Sequence, residues 1–167
     1  MEKEKLVHEL IQAYSEAYVK LGYSSLMGKI VALLIASPKP LSLDDIAEQL
    51  QMSKGPISQI SRKLKDHLVI ERVWVPGERK DYYKAAPDIF GQAFENYASS
   101  MKKNAELGAR IGALAAESNL EDEQVKHIKN RMDEMKLFYN KMEKYNRDFI
   151  KSWKTEIKPS LKKTSEA

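Results

Sequence analysis

Two short amphipathic helices joined by Gln51, Met52 and Ser53, and followed at once by a strand-like period, constrain this chain more than any other feature. After Ser42 the apolar residues Leu43, Ile46, Ala47 and Leu50 return at steps of three and four, as a helix with one buried face requires. The same spacing resumes with Ile57, Ile60 and Leu64. Beyond Leu68 the period changes. Val69, Ile70, Val73, Trp74 and Val75 are β-branched or aromatic, Pro76 and Gly77 signal a turn, and residues 81–86 can return as a second strand.

Helices flank this unit on both sides. Leu6, Leu10, Ala13, Tyr14, Ala17, Tyr18 and Leu21 form one apolar face, and Gly22 closes that helix. Ser24 or Ser25 caps a second helix through Ile35, which Ser37, Pro38, Lys39 and Pro40 must break because proline lacks an N–H and restricts its predecessor. Pro87 and Asp88 open a long helix with Phe90, Phe94, Tyr97, Met101, Ile111 and Leu114 on one side, and its Ala- and Gly-rich later part permits close packing. Ser118, Asn119, Leu120 and Glu121 have the spacing of a capping box ahead of the last helix. The spine of that helix, Val125, Ile128, Met132, Met135, Tyr139, Met142, Asn146, Phe149 and Trp153, alternates steps of three and four as a heptad seam does.

The expected fold is therefore mainly α: a winged helix-turn-helix with a two-stranded β-hairpin wing and long N- and C-terminal helices. The expected divisions are an N-terminal dimerisation helix at 1–23, a winged helix-turn-helix at 24–88, a helical dimerisation region at 89–155 and a disordered tail at 156–167.

With 167 residues there is room for one domain and helical extensions, not for two large domains. The absence of cysteine removes disulfides, thiolate nucleophiles and Cys-based zinc sites, and fits the cytoplasm as the expected location. The longest apolar run, residues 30–36, is far short of the roughly 20 residues that span a bilayer, so no membrane partner is expected. His8, His67 and His127 are scattered, and neither a phosphate loop nor a nucleophile motif occurs. Asp44 and Asp45 stand where a helix start favours negative charge. No catalytic residue, metal or cofactor is expected.

A net charge of +4 is too small to identify a polyanionic partner, so the placement of charge must decide. Between residues 54 and 65 the cations Lys54, Arg62, Lys63 and Lys65 occur without a single acid. Ser53, Lys54, Gly55, Ser58, Gln59 and Arg62 lie opposite the apolar stripe of this helix. Lysine and arginine neutralise phosphates, Ser, Gln and Arg bond base edges in the major groove, and Gly55 lets backbone approach backbone. Ser53 is expected to cap the helix whose N-terminus offers N–H groups to a phosphate. At the hairpin tip Arg79 and Lys80 can meet the DNA backbone or enter a minor groove. Two readings stay open: a double-stranded DNA reader, and a winged protein-interaction module with an ordinary solvated basic face. An enzyme would need a pocket of perturbed acids that the sequence does not announce.

Residues 28–30, 37–50 and 53–55, together with the string Val73, Trp74, Val75, Pro76, Gly77, Glu78, Arg79, Lys80, Asp81, Tyr82 and Tyr83, resemble the GbsR-like branch of the MarR superfamily of winged-helix repressors. The resemblance covers about residues 24–88 and is most specific in the 74–83 string. It implies that Ser53, Lys54, Gly55, Ser58, Gln59 and Arg62 occupy a recognition helix, and Arg79 and Lys80 a wing. Pro56 stands where a small hydroxyl residue is more usual. Leu68 replaces the glycine that tends to end this helix, so its termination is expected to differ.

The resemblance also implies a homodimer that presents two recognition helices to half-sites about one DNA turn apart. Leu6, Leu10, Met132, Met135, Tyr139, Met142, Phe149 and Trp153 are the expected dimer contacts, with Asn146 fixing the register, although a heptad seam can equally be a private core within one chain. Tyr14, Tyr18, Tyr23, Phe90, Phe94 and Tyr97 can be plain core or can line a pocket for a small effector. Aromatic faces hold quaternary ammonium groups, and the resemblance makes choline the candidate.

Overall fold

The computed structural model describes residues 2–118 and 122–160. In chain order its elements are α1 (Glu2–Lys20), α2 (Ser25–Ala36), β1 (Leu41–Ser42), α3 (Leu43–Leu50), α4 (Lys54–Asp66), β2 (Ile70–Val73), β3 (Tyr82–Ala85), α5 (Ile89–Glu117) and α6 (Glu123–Ser152), followed by a π-helical turn at Trp153–Ile157. The chain forms two compact units, Met1–Gln92 and Ala93–Ala167. No helix among the described residues is long and apolar enough to cross a membrane.

In the first unit α2 is apolar on nearly every side, and Ile30, Val31, Leu33 and Leu34 are buried. Around it Ile46 of α3, Ile57 and Leu64 of α4, Val69 and Ile70, Tyr83 of β3, and Ile89 complete one core. Tyr14, Ile11 and Tyr18 of α1 pack against this core, whereas Leu6 and Leu21 face outward. The contact of α1 with α2 is close because Gly28 has no side chain: a Cβ there would lie 2.4 Å from the Tyr14 carbonyl oxygen. Ser15 and Ser25 bridge the same two helices at 2.7 Å between their Oγ atoms.

Local chemistry sets the helix ends. Ser24 caps α2 by accepting the Met27 N–H, and Ser42 with Asp45 makes a reciprocal capping box at the start of α3. The end of α4 differs from the usual glycine solution. Leu68 adopts a left-handed conformation at φ 57°, its N–H bonds Lys65 O at 2.9 Å, and the Val69 N–H bonds Leu64 O at 2.9 Å. This is a Schellman closure made by leucine, at a cost of about 1–2 kcal/mol in backbone strain. Gln51, at φ 51°, closes α3 in the same way.

The expected two-stranded hairpin is present as β2 and β3, and β1 joins it to make a three-stranded antiparallel sheet in the order β1-β3-β2. β3 is central: its Tyr83 pairs with Arg72 of β2 on one side and with Leu41 of β1 on the other. The additional strand is only Leu41 and Ser42, too short to show a period of two. At the wing tip the Glu78 N–H bonds Val75 O, with Pro76 between them and Gly77 at φ 83°. That is a type II turn, whose third position requires the positive φ that glycine accepts.

In the second unit α5 and α6 meet through small residues and aromatic edges. A Cβ on Gly108 would lie 3.1 Å from Met132 O, and one on Gly112 would lie 3.6 Å from the Met132 Cβ. The Phe94 and Phe149 rings meet edge to face at 5.1 Å. The N-cap of α6 is Asp122, which accepts the N–H groups of Gln124 and Val125. Of the expected capping box, Ser118 instead donates to Ala115 O, and residues 119–121 lie outside the described residues. The expected tail is corrected over 156–160, which remain helical. Residues 161–167 lie outside the described residues.

Candidate nucleic-acid interface

Helix α4 turns Ile57, Ser61 and Leu64 inward. That orientation leaves Ser53, Lys54, Gly55, Gln59, Arg62 and Lys63 exposed and Ser58 half-buried. Seven of the nine residues expected to read DNA therefore share one element or its cap. No acidic side chain occurs on it before Asp66. Pro56 lies in the first turn, where its missing N–H has no intrahelical partner to lose. Arg62 and Ser58 are neighbours one turn apart, Nη2 to Oγ at 3.5 Å. Nothing lies within 4 Å of a Cβ built on Gly55, so that stretch of backbone is open to a ligand.

One expectation about Ser53 needs correction. It is the N-cap residue by backbone conformation, but its hydroxyl makes no capping hydrogen bond. The first-turn N–H groups of α4 therefore keep no side-chain acceptor from Ser53, and the hydroxyl is exposed.

The wing comes to this helix from the side. Lys54, Arg79 and Lys80 line one open hollow together with Ser42, Leu43, Asp44 and Asp81. The residue that ties the elements is Asp44: its Oδ1 receives Lys54 Nζ at 2.7 Å and its Oδ2 receives Lys80 Nζ at 2.9 Å. Hydrogen bonds from Lys54 and then Lys80 pull the Asp44 carboxyl down to about 2, and the bond and charge of Asp44 raise the Lys80 ammonium. Sequence reasoning assigned Asp44 to the helix dipole and missed these bonds. A signal existed, since one acid suffices for a capping box and Asp45 supplies it.

Further along the hairpin Arg72 pairs with Asp81 and Lys84 with Glu71, so the wing stem is internally neutralised. Trp74, just past β2, is 77% exposed, which is unusual for the largest apolar side chain.

The aromatic residues expected to line an effector pocket fall into separate groups. In the first unit Tyr14 stacks on Tyr18 at 6.4 Å and Tyr23 meets Tyr18 at 5.7 Å with its ring tilted, and burial raises the Tyr18 phenol. Phe94 and Tyr97 lie 6.5 Å apart in the second unit, with Phe149 as a further neighbour of Phe94. Phe90 is exposed.

Among the expected dimer contacts, Leu6 is exposed and Leu10 is half-buried. Met132, Met135, Tyr139, Met142 and Trp153 are half-buried, and Phe149 is exposed over about half its surface. Part of the heptad seam serves within the chain: Met132 lies against Gly108 and Gly112, and the buried Asn146 donates from Nδ2 to Met101 Sδ at 3.3 Å. At the seam position from which Asn146 was expected to hold register across two chains, the structure shows this bond between α5 and α6. The larger apolar side chains left outward on α6 are Ile128, Leu137, Phe138, Tyr145 and Phe149.

No family model matches the chain. The HTH-type transcriptional repressor OpcR of Bacillus subtilis is 26% identical over 142 residues, covering 80% of this chain and 76% of its own length. The HTH-type transcriptional regulator MmpR5 of Mycobacterium tuberculosis is 29% identical over 91 residues, 54% of this chain and 55% of that protein. A solved structure described as a transcriptional regulator shares 22% identity and a TM-score of 0.76, over 90% of this chain and 99% of that one. The fold is thus a winged helix with helical extensions, and the sequence relatives are HTH-type regulators.

Proposed function

We propose that this chain is a DNA-binding transcriptional repressor of the GbsR-like branch of the MarR superfamily, which binds a pseudo-palindromic operator as a homodimer and is released by a small ligand such as choline. The observation that carries the reading is the outer face of α4, free of acids from Lys54 to Lys65, beside a wing that brings Arg79 and Lys80 to the same hollow as Lys54. In this reading Ser58, Gln59 and Arg62 meet base edges, while Lys54, Lys63, Arg79 and Lys80 meet phosphates. The relatives' descriptions as HTH-type regulators support it. The adjacent exposed Leu137, Phe138 and Tyr145 of α6 support pairing of two chains, since clustered apolar side chains are favoured at interfaces. Tyr14, Tyr18 and Tyr23 offer the only clustered phenol faces in the first unit among the described residues, and supply the cation–π surface that choline requires.

Titration of the protein with genomic DNA fragments at several salt concentrations tests the reading. A log–log slope of several counterions is expected, and single alanine substitutions of Lys54, Arg62 and Arg79 should weaken binding without dissociating the dimer. Weak binding that does not depend on salt would favour the protein-interaction module instead. Light scattering that reports a monomer would remove the palindrome. Calorimetry without heat at millimolar choline would remove that effector.

A further inference from the structure

Asp44 stands at the first turn of α3, yet Asp45 alone completes the capping box with Ser42. Capping of α3 therefore leaves both oxygens of the Asp44 carboxylate free for other partners. What it does is bind two lysines from two elements, Lys54 in the first turn of α4 and Lys80 in the wing loop, each through a different oxygen. Two ammonium groups on two oxygens of one anion reproduce the way lysines grip a phosphate. The side chains of Lys54 and Lys80 remain 56% and 58% exposed, so a second anion can reach both.

We propose that Asp44 is an internal substitute for a DNA phosphate, which occupies Lys54 and Lys80 in the free protein and must be displaced before the DNA backbone gains either contact. This rests on the reading of α4 and the wing as a DNA surface. The consequence is discrimination. A duplex of arbitrary sequence offers these lysines only an exchange of one anion for another, so it gains little. A cognate site adds base contacts along α4, which supply the free energy that drives the exchange. Asp44 is thus a specificity-determining residue: it suppresses non-specific binding through the two lysines and, in the free protein, holds the wing against the recognition helix.

The test uses the full chain and a fluorescein-labelled duplex of random sequence, titrated between about 50 and 200 mM salt. Asp44→Asn should bind this duplex on the order of tenfold tighter at the low-salt end, as expected for freeing two exposed ion pairs. Its log–log salt slope should steepen by about 0.9 per lysine released, or about 1.8 for both. Asp44→Glu, which keeps the charge, should behave as the unsubstituted protein does. In a Lys54→Gln/Lys80→Gln background Asp44→Asn should change neither affinity nor slope, because no lysine is left to free. A gain that persists there would show a general charge effect and overturn the proposal, as would an unchanged slope in Asp44→Asn when the unsubstituted protein has a steep one. A salt-independent slope in both proteins would instead refute the DNA-binding reading, and the inference with it. A measurement that keeps the native residue guards against misfolding of the variant: the carboxyl carbon-13 resonance of Asp44 should move when a genomic fragment selected for tight binding is added, and much less with the random duplex. A resonance that stays in place at saturation with the selected fragment would overturn the displacement.

Discussion

Gly28→Ala tests the packing on which the winged unit depends. The new methyl would sit 2.4 Å from the Tyr14 carbonyl oxygen, 2.8 Å from its carbon and 3.0 Å from the Ser15 Cα. All three are backbone atoms, so no rotamer change can relieve the clash. Restoring an ordinary contact of about 3.4 Å requires α1 to retreat by roughly 1 Å, and a gap of that size forfeits a quarter to a half of each dispersion contact it opens. Ile11, Tyr14 and Tyr18, which pack from α1 onto the core, would all feel it. Overpacking of this kind costs about 1–3 kcal/mol, and the upper half of that range applies because the clash is with backbone. Better helix propensity of alanine returns up to about 1 kcal/mol. The net expectation is a loss of about 2 kcal/mol, or a fall in Tm of roughly 4–8 °C for a chain of this size. Thermal unfolding followed by circular dichroism reads it, with Gly55→Ala as the internal control. Gly55 is also helical but has nothing within 4 Å of its Cβ position, so that variant should gain up to about 1 kcal/mol. If Gly28→Ala melts at or above the unsubstituted protein, the close approach of α1 and α2 described above is refuted.

Leu68→Gly should raise stability by about 0.5–1 kcal/mol in urea unfolding, since the strain of a left-handed leucine exceeds the entropy that glycine adds to the unfolded chain; a loss would mean that the exposed Leu68 side chain matters more than its backbone. Ser61 Oγ is buried without a hydrogen-bond partner, so Ser61→Ala should stabilise by about 1 kcal/mol, and a loss of that size would reveal a bond the hydroxyl makes. The depressed Asp44 carboxyl carries a sign: the stabilisation from its two lysines is fully present above the ordinary 3.8 and is lost as pH falls through about 2. A carbon-13 titration of Asp44 with its inflection near 3.8 would show that the ion pairs do not persist in solution.

The sequence by itself determined where the helices and the hairpin strands run and which serines start α2 and α3. Helical spacing, the serines at 24 and 42, the proline break at 38 and 40 and the β-branched stretch after Leu68 are short-range signals, and the six helices and the two hairpin strands were placed within a few residues of where they lie. The outward face of α4 was legible for the same reason, because its periodicity tells which side must be wet. Whatever depends on residues far apart in the chain was left to tertiary structure. Two residues, Leu41 and Ser42, become a strand only because β3 passes beside them. Leu68 closes α4 in a conformation that leucine does not choose, held there by bonds to Leu64 and Lys65. Asn146 was assigned to a partner chain by its seam position, whereas the approach of α5 gives it Met101. Asp44 looked like a charge serving a helix dipole. Only the folding of the wing against α4 brings Lys80 and Lys54 to its two oxygens, because ion pairs are chosen by distance in space and leave no spacing in the sequence.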